Sequence, residues 1–262
     1  MISHDMNITL LVNRDLASHL ALSHLIRILE GQNISVFISE KVGADKRRPE
    51  PLIELANFEN NLLNDGRPTF CALAQSMGCT LENFIDCDNQ VNTPQAVAKI
   101  AATEPDLIIS VRFGLILHDH VINLPKHGVI NLHSGLLPDY RGVMASFRAM
   151  LNEDSLIGST LHRISDCTID SGAIIAKASI PLNMSLSYTL NVLKLYRDGC
   201  LEIGAAVDEL VRTDQIKTTP PNGEGCYYGF PDKADLHKFF AQDLRLFDSA
   251  EIPLINKLYT QT

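Results

Sequence analysis

The chain has 262 residues, with 22 Lys or Arg against 31 Asp or Glu and a formal net charge of −9. At about 100–200 residues per domain, that length fits one domain or one domain with a small appendage, and 45% apolar residues suffice for a well-packed core. The acidic balance argues against a general nucleic-acid or anionic-membrane surface, because such partners need clustered Lys and Arg, and leaves room for a local basic pocket.

The first six residues carry no positive run, and the β-favouring run 8–12 that follows is far below the about 18 residues of a membrane span. Leu16, Leu20 and Leu25-Ile26 then recur with helical spacing, so strand followed by helix opens a βαβ unit. Residues 35–39 read as a second strand, ending in the charged stretch 41–50, where Pro49 and Pro51 interrupt regular structure. Helical stretches are expected near 52–63 and 70–77, a weak strand near 84–87, and a helix over 94–102 with Thr93 as cap and Pro94 in its first turn. The near-continuous apolar run 107–111 suits a parallel strand covered on both faces. A short helix at 118–123 separates it from another strand at 128–133.

Beyond Gly142 the pattern predicts a helix at 146–151, two strands at 159–164 and 174–180, a long helix over 187–211, and a tail holding Tyr227-Tyr228 and a short helix at 233–241. The alternation implies an α/β fold, a Rossmann-like, doubly wound, mostly parallel sheet. Residues 1–212 are expected as the main domain and 213–262 as a small C-terminal appendage. Six cysteines at 71, 79, 87, 167, 200 and 226 form no Cys-x-x-Cys pair and read as reduced thiols. These features predict a soluble, cytoplasmic protein with no nucleic-acid or membrane partner. Ile252, Leu254 and Ile255 leave a homodimer contact and internal packing both open.

The sharpest feature begins at the end of a predicted strand and runs Asn131-Leu132-His133-Ser134-Gly135-Leu136-Leu137-Pro138-Asp139-Tyr140-Arg141-Gly142. Residues i and i+2 of a strand face one side, so Asn131 and His133 present a carboxamide and an imidazole together. A parallel sheet has its ligand crevice beyond the carboxyl ends of its strands. Asp170, on the loop between the last two strands, can fold back over that crevice and keep an imidazolium charged, raising the histidine pKa. An amide donor, a titratable base and an orienting carboxylate suit attack of an amine on an acyl carbonyl.

Residues 112–117, 124–133 and 136–142, with Gly158 to Pro181 and its Ile169-Asp170-Ser171-Gly172, resemble the core of the formyltransferases that use 10-formyltetrahydrofolate. The resemblance covers residues 107–181. It implies a Rossmann-like catalytic domain with Asn131, His133 and Asp170 as the catalytic trio. It also implies a pterin slot along Phe113, Leu115, Ile116 and Leu117 and along the loop from Ile164 through Asp166 and Thr168, with Leu136 and Leu137 bounding the folate pocket. Asn131 and His133 would hydrogen-bond the tetrahedral oxyanion, and Asp170 would orient His133.

Two departures stand out. Gly135 replaces the family's usual Ser, and the first loop, Asn13-Arg14-Asp15-Leu16-Ala17-Ser18, lacks the glycines that cradle phosphate in the ribonucleotide enzymes.

Asp166 competes with Asp170 as a simple loop cap. His118-Asp119-His120 opens a predicted helix on which its rings diverge, so no metal is expected. Lys46-Arg47-Arg48 reads as a solvated loop that can also steer an anion. Arg141 suits a carboxylate or phosphate, or braces its loop; with Tyr140 and Asn13 it is the candidate acceptor-binding set.

The acidic charge and the short tail disfavour a tRNA acceptor. Hydrolysis of the donor is less expected than transfer because family hydrolases carry a regulatory domain before the core. The leading expectation is transfer from 10-formyltetrahydrofolate to the amine of a nucleotide-linked amino sugar. A hydroxylamine or amino-acid acceptor of siderophore type, formyltetrahydrofolate hydrolysis, and a non-catalytic folate-binding protein are the alternatives.

Overall fold

In the computed structural model, residues 5–40 and 48–260 are described. Seven strands form the central sheet in the order β3-β2-β1-β4-β5-β7-β8: β1 Asn7–Asn13, β2 Asn33–Ser39, β3 Leu81–Asn83, β4 Leu107–Val111, β5 Val129–His133, β7 Leu156–Ile164 and β8 Ile174–Pro181. The first five lie parallel, while β7 runs antiparallel to both β5 and β8. The expected doubly wound, mostly parallel α/β sheet is present, with one reversed strand near its edge. Two short strands, β6 Arg141–Gly142 and β9 Tyr227–Tyr228, pair separately.

Period-2 alternation divides the strand residues between two cores. Ile8, Leu10 and Val12 of β1, Leu107, Ile109 and Val111 of β4, and Ile130 and Leu132 of β5 join the larger core. Leu11, Phe37, Ile108 and Val129 face the smaller one. The larger core also takes residues of helices α1 Leu16–Ile28, α2 Glu50–Asn64, α3 Phe70–Ser76, α6 Ala145–Leu151, α7 Tyr188–Leu193 and α8 Tyr196–Thr213. The smaller is closed by α4 Pro94–Ala101 and α5 Asp119–Ile122.

Three elements differ from expectation. The weak strand placed at 84–87 is the 3₁₀ turn Ile85–Cys87, and the strand lies just before it. Asn83 Oδ1 accepts from the Ile85 N–H at 3.0 Å, turning the chain, and Phe84 stacks on Phe37 at 5.4 Å. The long helix at 187–211 is two, broken at Lys194-Leu195, where Leu195 N bonds Val192 O at 3.2 Å in a tightened turn. No Pro or Gly marks that break, which turns both Tyr188 and Tyr196 inward to burial. The tail carries α9 Lys233–Ala241 and an unanticipated helix, α10 Ile252–Leu258, whose Ile255 is buried while Leu254 is exposed. Ile216, Leu236, Phe239, Leu244, Leu246 and Ile255 share the larger core, and Phe239 stacks on Phe147 of α6 at 4.4 Å.

After β1 the chain winds outward to β2, and after β4 it winds the other way to β5. The carboxyl ends of β1 and β4 therefore border the topological switch point, where open α/β sheets leave a crevice. β5 ends beside it. Among the described residues no helix is long and apolar enough to cross a membrane.

Candidate active site

β5 and β7 pair so that Asn131 lies opposite His162 and His133 opposite Thr160. Thr160 is buried; its hydroxyl donates to Gly135 O at 2.7 Å and accepts from Leu137 N at 3.1 Å, holding the loop after His133 against the sheet. The return loop is shaped by two residues. Asp170 has a left-handed backbone, φ +51°, a conformation its short polar side chain tolerates better than most. A Cβ on Gly172 would lie 1.8 Å from Arg163 O, so only glycine permits that close approach.

The Asp170 carboxylate consequently sits between two imidazoles. Its Oδ2 is 3.4 Å from His133 Nδ1 and accepts from Gly142 N at 2.8 Å; its Oδ1 is 3.3 Å from His162 Nε2. His162 Nδ1 faces the Arg163 carbonyl at 2.9 Å. A carbonyl only accepts, so Nδ1 carries the hydrogen; Nε2 lies 3.1 Å from the Asn131 amide as well as 3.3 Å from Asp170 Oδ1, and donates to the carboxylate when the ring is protonated. His133 Nε2 donates to Tyr140 O at 2.6 Å.

Burial would raise the Asp170 pKa, but the charge of His133, the hydrogen bond and charge of His162 and the Gly142 N–H bring it down to about 2. For His133, burial to 8% side-chain exposure outweighs the Asp170 charge and the Tyr140 carbonyl, and the ring titrates below its ordinary value. The sequence argument expected the opposite direction, because a carboxylate partner is legible in a sequence and desolvation is not. In the unfolded chain the ring takes its proton near pH 6.5, so below that the unfolded state binds more protons and stability falls with pH. The kcat/KM profile is expected to keep a neutral ring through pH 7 and to lose activity on an acid limb whose midpoint lies below 6.5. A midpoint above 7 would contradict this burial argument.

The other predicted site residues are distributed around this cluster. Phe113 and Leu115 pack half-buried on the smaller core, Leu117 is buried and Ile116 is 49% exposed. Asn92 clamps that segment, donating to Ile116 O at 2.8 Å and accepting from His118 N at 2.9 Å. Ile164 ends β7 against the same core, with Asp166 and Thr168 exposed beyond it, Thr168 N donating to Asp166 Oδ1 at 2.7 Å. Leu136 is half-buried and Leu137 buried.

Each member of the acceptor set bonds other residues of the chain. Tyr140 gives its carbonyl to His133 while its hydroxyl bonds Asp154 and accepts from Asn152 at 3.1 Å. Arg141 reaches Ile169 O at 3.0 Å and Glu224 O at 3.2 Å. Asn13 is buried, its amide donating to Asp15 at 3.0 Å and accepting from Ser39 at 3.1 Å. Arg48 lies over the Phe230 ring at 4.5 Å; Lys46 and Arg47 fall outside the described residues. Gly135 is tightly enclosed, for a Cβ there would come within 2.5 Å of His133 Nε2 and 2.6 Å of Ala145 Cβ. Among the described residues no three His, Cys, Asp or Glu side chains are grouped to hold a metal ion.

His162 was not singled out from sequence. Its signal lay in the strand pattern around it, but assigning it to the site requires the β5–β7 register, which no local periodicity supplies.

The sequence pattern of the formyl transferase family matches residues 36–194, more than half of the chain. The chain belongs to that family. Methionyl-tRNA formyltransferase of Geobacter sulfurreducens is 31% identical over 146 residues, which is 56% of this chain and 46% of the relative. The chain thus spans about half the length of the curated relatives it matches. Glycinamide ribonucleotide transformylase 1 of Symbiobacterium toebii shares the fold with a TM-score of 0.62 at 14% identity, over 84% of this chain and 95% of that one. An N-formyltransferase of Helicobacter canadensis, solved in complex with folinic acid and dTDP-3-aminofucose, does so with a TM-score of 0.53 at 17% identity, over 88% and 71%. For these structures the likeness is one of fold.

Proposed function

We propose that this formyl transferase moves a formyl group from 10-formyltetrahydrofolate to the amine of a small molecule, with a nucleotide-linked amino sugar as acceptor. The observation that carries the reading is the meeting of Asn131 and His133, at the carboxyl end of β5, with Asp170 from a distant loop. Apart from the Asn92 clamp on Ile116 O, the main-chain groups of residues 113–117 bond no other described residue. Unpaired peptide edges beside apolar walls fit the donor and acceptor edge of a flat pterin. The residues from 113 to 117, Leu136-Leu137 and the loop from Ile164 would hold the folate, which supplies an activated formyl carbon when bound.

Asn131 offers amide hydrogens to the oxygen on which charge develops. His133, neutral through burial with Nε2 donating to Tyr140 O, can take the proton leaving the incoming amine only on Nδ1, beside Asp170. Asp170 would hold the imidazolium that then forms, and His162 Nε2 lies between Asp170 and Asn131. The solved Helicobacter neighbour with folinic acid and an amino-sugar nucleotide supports the choice of donor and acceptor; the net charge of −9 argues against the RNA acceptor of the methionyl-tRNA relatives.

The test is formyl transfer from 10-formyltetrahydrofolate to amino-sugar nucleotides, hydroxylated amino acids and water, followed by loss of the donor and mass gain of the acceptor. Asn131→Ala is expected to cost about 10²–10³ in kcat, as loss of one oxyanion donor does. Formate release that no amine accelerates would overturn the transferase reading.

A further inference from the structure

We infer that Arg112 is the acceptor-recognition residue, its guanidinium holding an oxyanion of the acceptor, a phosphate or a carboxylate. This rests on the reading of the neighbouring cluster as a formyl-transfer site. Arg112 follows β4 directly and His133 ends β5. The two strands pair Val111 with Leu132, so Arg112 and His133 are the next residues along neighbouring strands. On its other side lies Asp15, in the loop after β1. The guanidinium thus spans the switch point between β1 and β4, where a second ligand can approach a formyl group held at β5.

The residue is built for holding something. Its backbone is left-handed, φ +56°, a cost of about 1–2 kcal/mol for a side chain of this kind, which sets its direction apart from the strand's own alternation. Nε pairs with Asp15 Oδ2 at 2.9 Å and Nη1 reaches the Tyr196 hydroxyl at 3.5 Å. Its remaining Nη hydrogens bond no other described residue, and 28% of the side chain stays exposed. Burial opposes its charge, but the Asp15 carboxylate, with a smaller contribution from Glu59, keeps it ionised. A planar fork pinned on one edge and open on the other matches an oxyanion better than a flexible ammonium would.

The usual competitor is occupied by the protein itself. Asp15 caps α1, its Oδ1 accepting from Ser18 N at 2.7 Å, so the α1 N-terminus that could receive an anion already holds a carboxylate. The same Asp15 takes Asn13 and Arg112 on its other oxygen. An acceptor anion in this crevice therefore meets Arg112.

Calorimetric titration of the full chain with thymidine diphosphate and, separately, with L-ornithine distinguishes the two sources of oxyanion. Folinic acid serves as the donor-site probe. At least one of these two oxyanion-bearing probes is expected to bind the wild type. Arg112→Met is expected to weaken that binding by about 10–100-fold, the loss of a charge-assisted hydrogen bond or two, with folinic acid affinity within twofold. Arg112→Lys keeps the charge and a partner for Asp15, guarding against simple misfolding; it is expected to lose about tenfold for want of the fork. Binding of neither probe by the wild type, or unchanged binding in both variants, would overturn the inference. Donor turnover by the wild type is scored separately, so failure of the formyl-transfer reading appears there and not in these titrations.

Discussion

Asp170→Asn is expected to lower kcat by about 10²–10⁴-fold, the range for a positioned acid–base group, with the donor KM within a few-fold. Asn has nearly the volume of Asp, and its carbonyl can still accept from Gly142 N, so the loop retains its anchor at 2.8 Å. What disappears is the charge between two buried rings. His133 is already held below its ordinary pKa by burial, with Asp170 the leading opposing influence. Removing it leaves the imidazolium that forms on proton uptake without a counterion in a dry site. The carboxyl itself, at about 2, is ionised throughout the working range. Its contribution to stability is present above the unfolded value near 3.9 and is lost only as pH falls toward 2, so the variant's defect should be nearly constant between pH 6 and 9. Steady-state kinetics across that range decide the matter; a variant turning over at the wild-type rate would remove Asp170 from the mechanism.

The second large effect is expected at a residue with no side chain to take part in the chemistry. Gly142 has φ +95°, and a Cβ on it would lie 2.1 Å from Tyr228 O. The left-handed backbone costs an alanine about 1–2 kcal/mol and the crowding about 1–3, so Gly142→Ala should lower Tm by roughly 5–15 °C. Gly229→Ala, four residues into the same tail segment from Gly225 and with nothing within 4 Å of its would-be Cβ, is the control and should shift Tm by less than about 2 °C.

Activity should fall with Gly142→Ala as well. The Gly142 N–H holds Asp170, the Tyr140 carbonyl holds His133, and both belong to a loop that the tail fastens. Arg141 N donates to Cys226 O and Val143 N to Tyr228 O, each at 2.9 Å, and the Tyr140 and Tyr228 rings stack at 5.9 Å. Differential scanning calorimetry of the two variants, with kcat measured alongside, separates this account from a passive tail. Equal melting points would defeat it.

The chemistry of the site was largely legible in the residues. Asn131 and His133 share a strand face because side chains alternate, a rule needing no tertiary information. Gly172 is explained only by a contact, the Arg163 carbonyl at 1.8 Å from its would-be Cβ, although the Asp-Ser-Gly pattern pointed to it. His162 was invisible because its place depends on which strand β7 joins and in which direction. Asn13 and Arg141 were candidates to meet a ligand, with loop bracing equally open for Arg141, and each bonds neighbours brought close by folding. The charge state expected for His133 reversed for a related cause, since burial is a property of the surroundings.

Local rules of the chain determined the order of strands and helices, the doubly wound sheet and the pairing of carboxamide with imidazole at one strand end, because periodicity and turn chemistry act over a few residues. Tertiary structure decided the rest: the reversal of β7, the break between α7 and α8, the binding of the tail to the loop that holds His133 and Asp170, and the place of Arg112 between two strand ends. Each of these depends on contacts between segments tens of residues apart, and the free energy of such contacts is set by burial and register, which exist only once the chain has folded.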